Sequence, residues 1–170
     1  MNPDISVIIP AKDEEESIPE LGRWISRVME ANGFSYEVIF IDDGSADNTW
    51  LQIAGMNETN PKIKGVRFNR NFGKSAALQT GFRAATGKVV ITMDADLQDD
   101  PQEIPHLLAK LEEGYDVVSG WKQVRHDPWH KVGPSWVFNW LVGALTGVKL
   151  HDHNCGFKCY RREIFNEVRL

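Results

Sequence analysis

The chain has 170 residues, 42% hydrophobic and 25% charged, which suits one globular domain with a real core and excludes two full domains or a disordered chain. Its 24 Asp and Glu outweigh 19 Lys and Arg, for a net charge of -5, which argues against a protein that wraps nucleic acid. Two cysteines, Cys155 and Cys159, are too few for a disulfide framework, and their spacing is neither a redox nor a zinc motif, so a reducing, cytoplasmic setting is expected. Strand and helix signals then alternate along the chain. Ile5 to Ile9 is a short β-branched run closed by Pro10, and Glu15 to about Ala31 has apolar residues at helical spacing. Tyr36 to Ile41 reads as a strand, Ala46 to Met56 as a helix, Lys62 to Phe68 as a strand and Ser75 to Ala85 as an alanine-rich helix with Gly87 placed as its cap. Lys88 to Met93 is an apolar strand, Pro101 to about Glu113 a helix and Tyr115 to Ser119 a fifth strand. Beyond 120 the pattern changes to a loop, an apolar helix candidate over 134–146 and a tail that is polar and then helical.

Short strands alternating with helices of ten or more residues predict an α/β fold. A single Rossmann-like domain is expected, its mostly parallel central sheet carrying helices on both faces. Ligands of such sheets gather beyond the carboxyl ends of the strands. Four successive strand ends carry polar clusters: Ala11–Glu16, Asp42–Asp47, Asn69–Lys74 and Asp94–Asp100. The charge is also segregated. Residues 1–60 hold 12 acidic and 3 basic side chains, 61–93 hold 7 basic and none acidic, and 94–120 hold 8 acidic and 1 basic. Such blocks are either solvated faces or a site that handles phosphate together with a divalent cation.

Asp94-Ala95-Asp96 follows a buried-strand signal. Carboxylates at i and i+2 of an extended chain share one side and repel unless a cation joins them, and Gln98 lies two residues further on. Their alternative use is as turn and cap residues before Pro101. Asp42-Asp43-Gly44-Ser45 ends the second strand, with Asp43 expected to accept hydrogen bonds from a base or ribose and Ser45 and Asp47 expected to shape the turn and cap the next helix. Gly73-Lys74-Ser75 has the ending of a Walker A loop, but Phe68 stands where that loop needs its first glycine. No G-x-G-x-x-G follows the first strand, and the histidines and cysteines match no zinc pattern.

Taken in order, PAKDEEESIP, FIDDGSADNT, RNFGKSAALQTGF and VITMDADLQDDP resemble family-2 glycosyltransferases of the GT-A fold. The branch most resembled is the dolichol-phosphate mannose synthase and polyprenyl-phosphate glycosyltransferase group. The resemblance spans about residues 4–168, with 1–120 as the nucleotide- and metal-binding half and 121–170 as the acceptor-side segment. It implies inverting transfer of a sugar from a nucleoside-diphosphate donor of the GDP-mannose or UDP-glucose type, with Mg²⁺ or Mn²⁺. Donor-binding positions are Pro10, Lys12, Glu14, Ile41, Asp43, Lys74, Asp94, Ala95 and Lys122, and Asp96 and Gln98 are the metal ligands. Asp13 replaces a usual Asn, Lys122 a usual Arg, and relatives usually continue past residue 170, often into membrane helices.

Departure of the diphosphate builds negative charge that a cation at Asp96 neutralises, with Lys74 or Lys122 adding fixed positive charge. A hydroxyl acceptor needs a general base, for which Asp152 is the candidate. A lipid monophosphate, with a second pKa of about 6, is already anionic and needs cations such as Arg125, Lys131, Lys158 and Arg161. Trp129, Trp136, Phe138 and Trp140 are either core or an interfacial stripe on a membrane surface. A polyprenyl phosphate acceptor is therefore expected, with a place in the cytoplasm, peripheral at the cytoplasmic face of a membrane or anchored there by segments absent from this chain. A glycan or protein hydroxyl acceptor, or a truncated domain that binds donor without turnover, are the alternatives.

Overall fold

The computed structural model describes residues 2–120 and 155–167. The first strand, β1 (Ile5–Ala11), leads through a polar loop to α1 (Ser17–Ala31) and β2 (Tyr36–Asp42). Then come α2 (Thr49–Thr59), β3 (Ile63–Arg67), α3 (Lys74–Ala84) and β4 (Val89–Thr92). A 3₁₀ turn (Pro101–Glu103) opens α4 (Ile104–Glu112), followed by β5 (Val117–Ser119), β6 (Lys158–Arg161) and a last short helix, α5 (Ile164–Glu167). The 3₁₀ turn starts where the sequence predicts a helix. Asp100 caps it by accepting the Gln102 N–H at 2.8 Å, and Pro101 occupies the first position, where no N–H is needed.

The strands form one six-stranded sheet in the order β3-β2-β1-β4-β6-β5. β1, β2, β3 and β4 pair in parallel. β6 runs antiparallel between β4 and β5, with Thr92 opposite Lys158 and Val89 opposite Arg161. The tail thus departs from expectation: Lys158 to Arg161 is a strand, inserted into the sheet 66 residues after β4.

Side chains alternate between two cores, as strand geometry requires. Val7, Ile9, Val38, Phe40 and Ile91 meet Ile18, Leu21 and Ile25 of α1, Ile53 of α2 and Ile104 and Leu111 of α4. On the other face Ile8, Ile39, Ile41 and Val90 meet Ala77 of α3, with Phe82 and Phe165 at the edge. Helices therefore cover both faces. Gly81 lets α3 lie close, because a Cβ there would sit 2.3 Å from Ile8. Gly87 is not the cap of α3, which Ala85 ends in extended geometry. It is instead pressed against β1, where a Cβ would come within 2.7 Å of the Ser6 nitrogen.

Among the described residues no helix is long and apolar enough to cross a membrane. Both cysteines are buried, and burial raises the Cys159 thiol to about 12. It is an inert core group rather than a nucleophile.

Candidate active site

The strand order reverses between β1 and β4, the point at which sheets of this kind open a crevice beyond the carboxyl ends of their strands. Pro10 helps to open it. Alternate residues of a parallel strand bond to opposite neighbours. Ile8 accepts from Met93 on the β4 side at 3.1 Å, and Ala11 accepts from Asp43 on the β2 side at 2.9 Å. Pro10 faces the β4 side, where it has no N–H to give and where the ladder has already ended at Ile8–Thr92.

The first and second loops are sewn together by side chains. Asp13 lies at φ 56, a left-handed conformation that Asp and Asn tolerate better than most residues, so an Asp in place of Asn keeps this turn feasible. Its N–H donates to Ser45 Oγ at 2.9 Å, and its Oδ1 accepts from the Ala46 N–H at 2.8 Å. The Glu14 N–H donates to Thr49 Oγ1 at 2.7 Å, and the Glu15 N–H to Asp47 Oδ2 at 3.1 Å. Lys12 pairs with Asp13 at 2.7 Å. That contact raises the Lys12 pKa and, reinforced by the Ala46 N–H, lowers that of Asp13. Burial works against ionisation of Asp47, but hydrogen bonds from Thr49 and Glu15 outweigh it and lower its pKa. Ser45 and Asp47 therefore hold the loops, as the sequence predicts, but the N-cap position of α2 falls to Asn48, which makes no side-chain cap bond. Glu14 accepts from Ser17 Oγ at the start of α1.

Asp43, expected to meet a base or ribose, spends both oxygens inside the protein. It accepts from the N–H groups of Phe72 at 2.7 Å and Gly73 at 2.9 Å, and so holds the loop before α3. Gly44, at φ 68, is packed so tightly on that loop that a Cβ would lie 2.3 Å from the Arg70 carbonyl carbon. Ile41 is fully buried in the core under α3. Only its backbone faces the neighbouring strands, so its side chain is not a donor contact.

At the end of β4, Asp94 receives Lys74 from the start of α3, with Nζ 2.5 Å from Oδ1. The Asp94 N–H donates to Asp99 Oδ2 at 3.0 Å. Ala95 is buried, while Asp96 and Gln98 are exposed. The Gln98 N–H donates to Asp96 Oδ1 at 3.1 Å, closing a local turn around Leu97. Leu97 itself lies at φ 62, a strained choice for a leucine.

Two residues of this site were not legible in the sequence. Asp99 holds the backbone of Asp94, and its signal was diluted by the surrounding acids. Gly156 lies against the Asp94 carboxylate, where a Cβ would fall 2.6 Å from Oδ1 and 2.7 Å from Oδ2, and its carbonyl accepts from Thr92 Oγ1 at 2.7 Å. Only the fold brings that glycine from the tail to β4.

The predicted acceptor cations divide. Lys158 stands opposite Thr92, at the crevice end of β6. Arg161 lies at the other end of the sheet, opposite Val89, where its guanidinium donates to the carbonyls of Leu111 at 2.7 Å and Tyr115 at 3.1 Å. It closes the C-terminus of α4 and is far from the carboxylates, because an antiparallel strand of four residues carries its two ends to opposite edges. Lys122, Arg125, Lys131 and Asp152, with the Trp129–Trp140 stripe, lie outside the described residues.

The model of the family described as Glycosyl transferase family 2 matches residues 6–169. The chain belongs to that family. Solved structures with the same fold include glucosyl-3-phosphoglycerate synthase from Mycobacterium tuberculosis. One is 26% identical with a TM-score of 0.75, over 98% of this chain and 60% of that one. Another, in complex with uridine diphosphate, is 25% identical with a TM-score of 0.75, over 98% of this chain and 59% of that one. A third, with Mn²⁺, uridine diphosphate and phosphoglyceric acid, is 23% identical with a TM-score of 0.77, over 98% and 58%. The chain spans less than two thirds of the length of these synthases. The family-2 glycosyltransferase assignment agrees with the α/β fold and with the positions of the motifs at the strand ends.

Proposed function

We propose that this family-2 domain transfers a sugar from a nucleoside-diphosphate sugar, with Mg²⁺ or Mn²⁺, to a polyprenyl phosphate, inverting the anomeric centre. The arrangement that carries the reading is the Lys74–Asp94 pair at the end of β4, followed in the same turn by the exposed Asp96 and Gln98, beside the β1/β4 switch point. The donor set suits a hard cation. Asp96 and Gln98 are exposed oxygen donors, and no group of three His, Cys, Asp or Glu converges among the described residues. Mg²⁺ characteristically takes one or two carboxylates and completes its shell with substrate phosphates and water. Asp96 and Gln98 would hold the ion, which when bound supplies Lewis-acid neutralisation of the leaving diphosphate. Lys74 adds a cation toward the same charge, and Lys12 lies in the first loop, just past the end of β1. Asp43 acts on the donor through the loop it holds.

A phosphate acceptor needs no proton removed at pH 7, so its site requires cations rather than a base. Lys158 stands at the crevice end of β6 for that role, with Arg125 and Lys131 expected beside it. A second reading is a small phosphorylated acceptor. It is favoured by the synthase structures, which hold phosphoglyceric acid with uridine diphosphate and Mn²⁺. The test is transfer of radiolabel from UDP-glucose or GDP-mannose, with Mn²⁺, to polyprenyl phosphate, to 3-phosphoglycerate and to a free glycan. Label in the lipid that is lost in Asp96→Ala supports the proposal. Label only in phosphoglycerate replaces the acceptor, and full turnover by Asp96→Ala removes the metal role.

A further inference from the structure

Lys74 is placed where local physics disfavours it. It is the first residue of α3, and that first turn holds no acid. The positive end of the helix dipole repels a cation there, so this lysine needs an anion from elsewhere in the fold. Asp94 is that anion in the ligand-free protein, with Nζ 2.5 Å from Oδ1. Asp94 has the converse need. Its carboxylate is only 28% exposed, Gly156 lies against it, the Asp99 carboxylate is bonded to its own N–H, and Asp96 is two residues away. Lys74 is the cation that answers this concentration of negative charge.

Resting on the functional reading above, we propose that Lys74 is the resident counter-cation of the Asp94–Asp96 turn. It neutralises Asp94 while the donor site is empty and moves to the donor diphosphate when nucleotide and divalent ion arrive together. The lysine then does two things with one charge. In the empty site it keeps the turn folded without metal and weakens capture of a free divalent cation. In the loaded site the diphosphate relieves Asp94 of its lysine, so the carboxylate turn meets the metal at its full negative charge. Metal and nucleotide therefore bind with positive coupling, each removing an obstacle to the other. The lysine has the reach for this, being 54% exposed on a flexible four-carbon stem.

The test measures Mn²⁺ binding alone, by calorimetry or by the electron paramagnetic resonance of the free ion, and again with UDP or GDP. Lys74→Gln should bind Mn²⁺ alone about two- to fivefold more tightly than wild type, the scale expected for removing one partly exposed pairing charge. The gain that nucleotide gives to Mn²⁺ binding should shrink by a similar factor. Lys74→Arg, which restores the cation, should return both values toward wild type. In an Asp94→Asn background Lys74→Gln should change Mn²⁺ affinity less than twofold, because the partner is gone. Arg70→Gln removes the same charge from the neighbouring loop, where Arg70 lies over the Phe72 ring, and should also stay within twofold. If Lys74→Gln leaves Mn²⁺ affinity unchanged while wild type binds Mn²⁺ with nucleotide, the counter-cation role is wrong and the functional reading stands. The role is equally wrong if Arg70→Gln matches Lys74→Gln. If wild type and Lys74→Gln both fail to bind Mn²⁺ with either nucleotide, both readings fall.

Discussion

Gly156 lacks a side chain, and that lack gives Asp94 its place. Its φ is not in the positive range that demands glycine, so an alanine there meets no backbone penalty and its effect isolates one contact. The added methyl would lie 2.6 Å from one Asp94 oxygen and 2.7 Å from the other, closer than packed atoms allow, and the carboxylate would have to turn away. Gly156→Ala should therefore weaken Mn²⁺-dependent binding of a nucleoside diphosphate by about tenfold, or about 1.4 kcal/mol, while the melting temperature moves by only a few degrees. Calorimetric titration beside a thermal melt separates the two effects. Affinity within twofold of wild type would show that Asp94 has no part in donor binding. The D-x-D turn was legible in the sequence because two carboxylates at the end of an apolar strand are locally conspicuous. Gly156 was not, since nothing near it in the chain speaks of Asp94. The same gap hid the present duty of Asp43, whose acceptors meet a loop 29 and 30 residues away.

At the scale of elements, the opposite end of the sheet is held by one buried acid. Glu37 of β2 is 3% exposed and accepts from Lys64 of β3 at 2.6 Å, Ser6 of β1 at 2.6 Å, and the Thr86 N–H and O–H before β4 at 2.8 and 2.7 Å. One carboxylate thus joins all four parallel strands. Burial alone would raise its pKa, but Lys64, Ser6 and Thr86 together lower it to about 2 from an ordinary 4.5. A lowered carboxyl pKa gives stability that is complete above the unfolded value and is lost as pH falls toward the folded one. Glu37 should accordingly contribute about 3 kcal/mol at neutral pH, lost between about pH 4.5 and pH 2. Urea unfolding across that range should show a much shallower fall in Glu37→Gln than in wild type. Equal slopes would mean that other carboxylates carry the acid transition. The strands and helices up to residue 119 were legible because each has its own periodicity and its own punctuation. β6 was not, because KCYR has two charged ends, four residues and no alternation strong enough to distinguish it from a polar loop. Its strand character comes from β4 and β5, which lend it hydrogen bonds on both sides. Non-local pairing of that kind leaves little trace in a short segment.

The whole molecule explains the alternating blocks of charge. Lys62, Lys64, Arg67 and Lys88 of the basic block pair with Glu30, Glu37, Asp42 and Asp4 of the acidic block before it. These contacts fasten β3 to α1 and β2, and the start of β4 to the start of β1, so most of the segregation serves assembly. Lys74 alone among these pairs crosses to the second acidic block, at Asp94. On the proposed reading, this pair is the one that a bound diphosphate opens. An opened pair alters stability through linkage: a ligand bound only to the folded state stabilises it by about 2.7 kcal/mol at 100 times its dissociation constant. For a chain of this length that corresponds to a rise of about 5–11 °C in melting temperature. Mn²⁺ alone should add little, since Lys74 holds Asp94, and nucleoside diphosphate alone should add little, since its charge lacks the metal. Together they should give the full rise, well above the sum of the separate shifts, and only with the base that the donor carries. A scanning fluorimetry grid of UDP and GDP against Mn²⁺ reads this directly. Shifts that simply add, or that are equal for both bases, would show that the crevice binds phosphate without the coupling and selectivity a donor site requires.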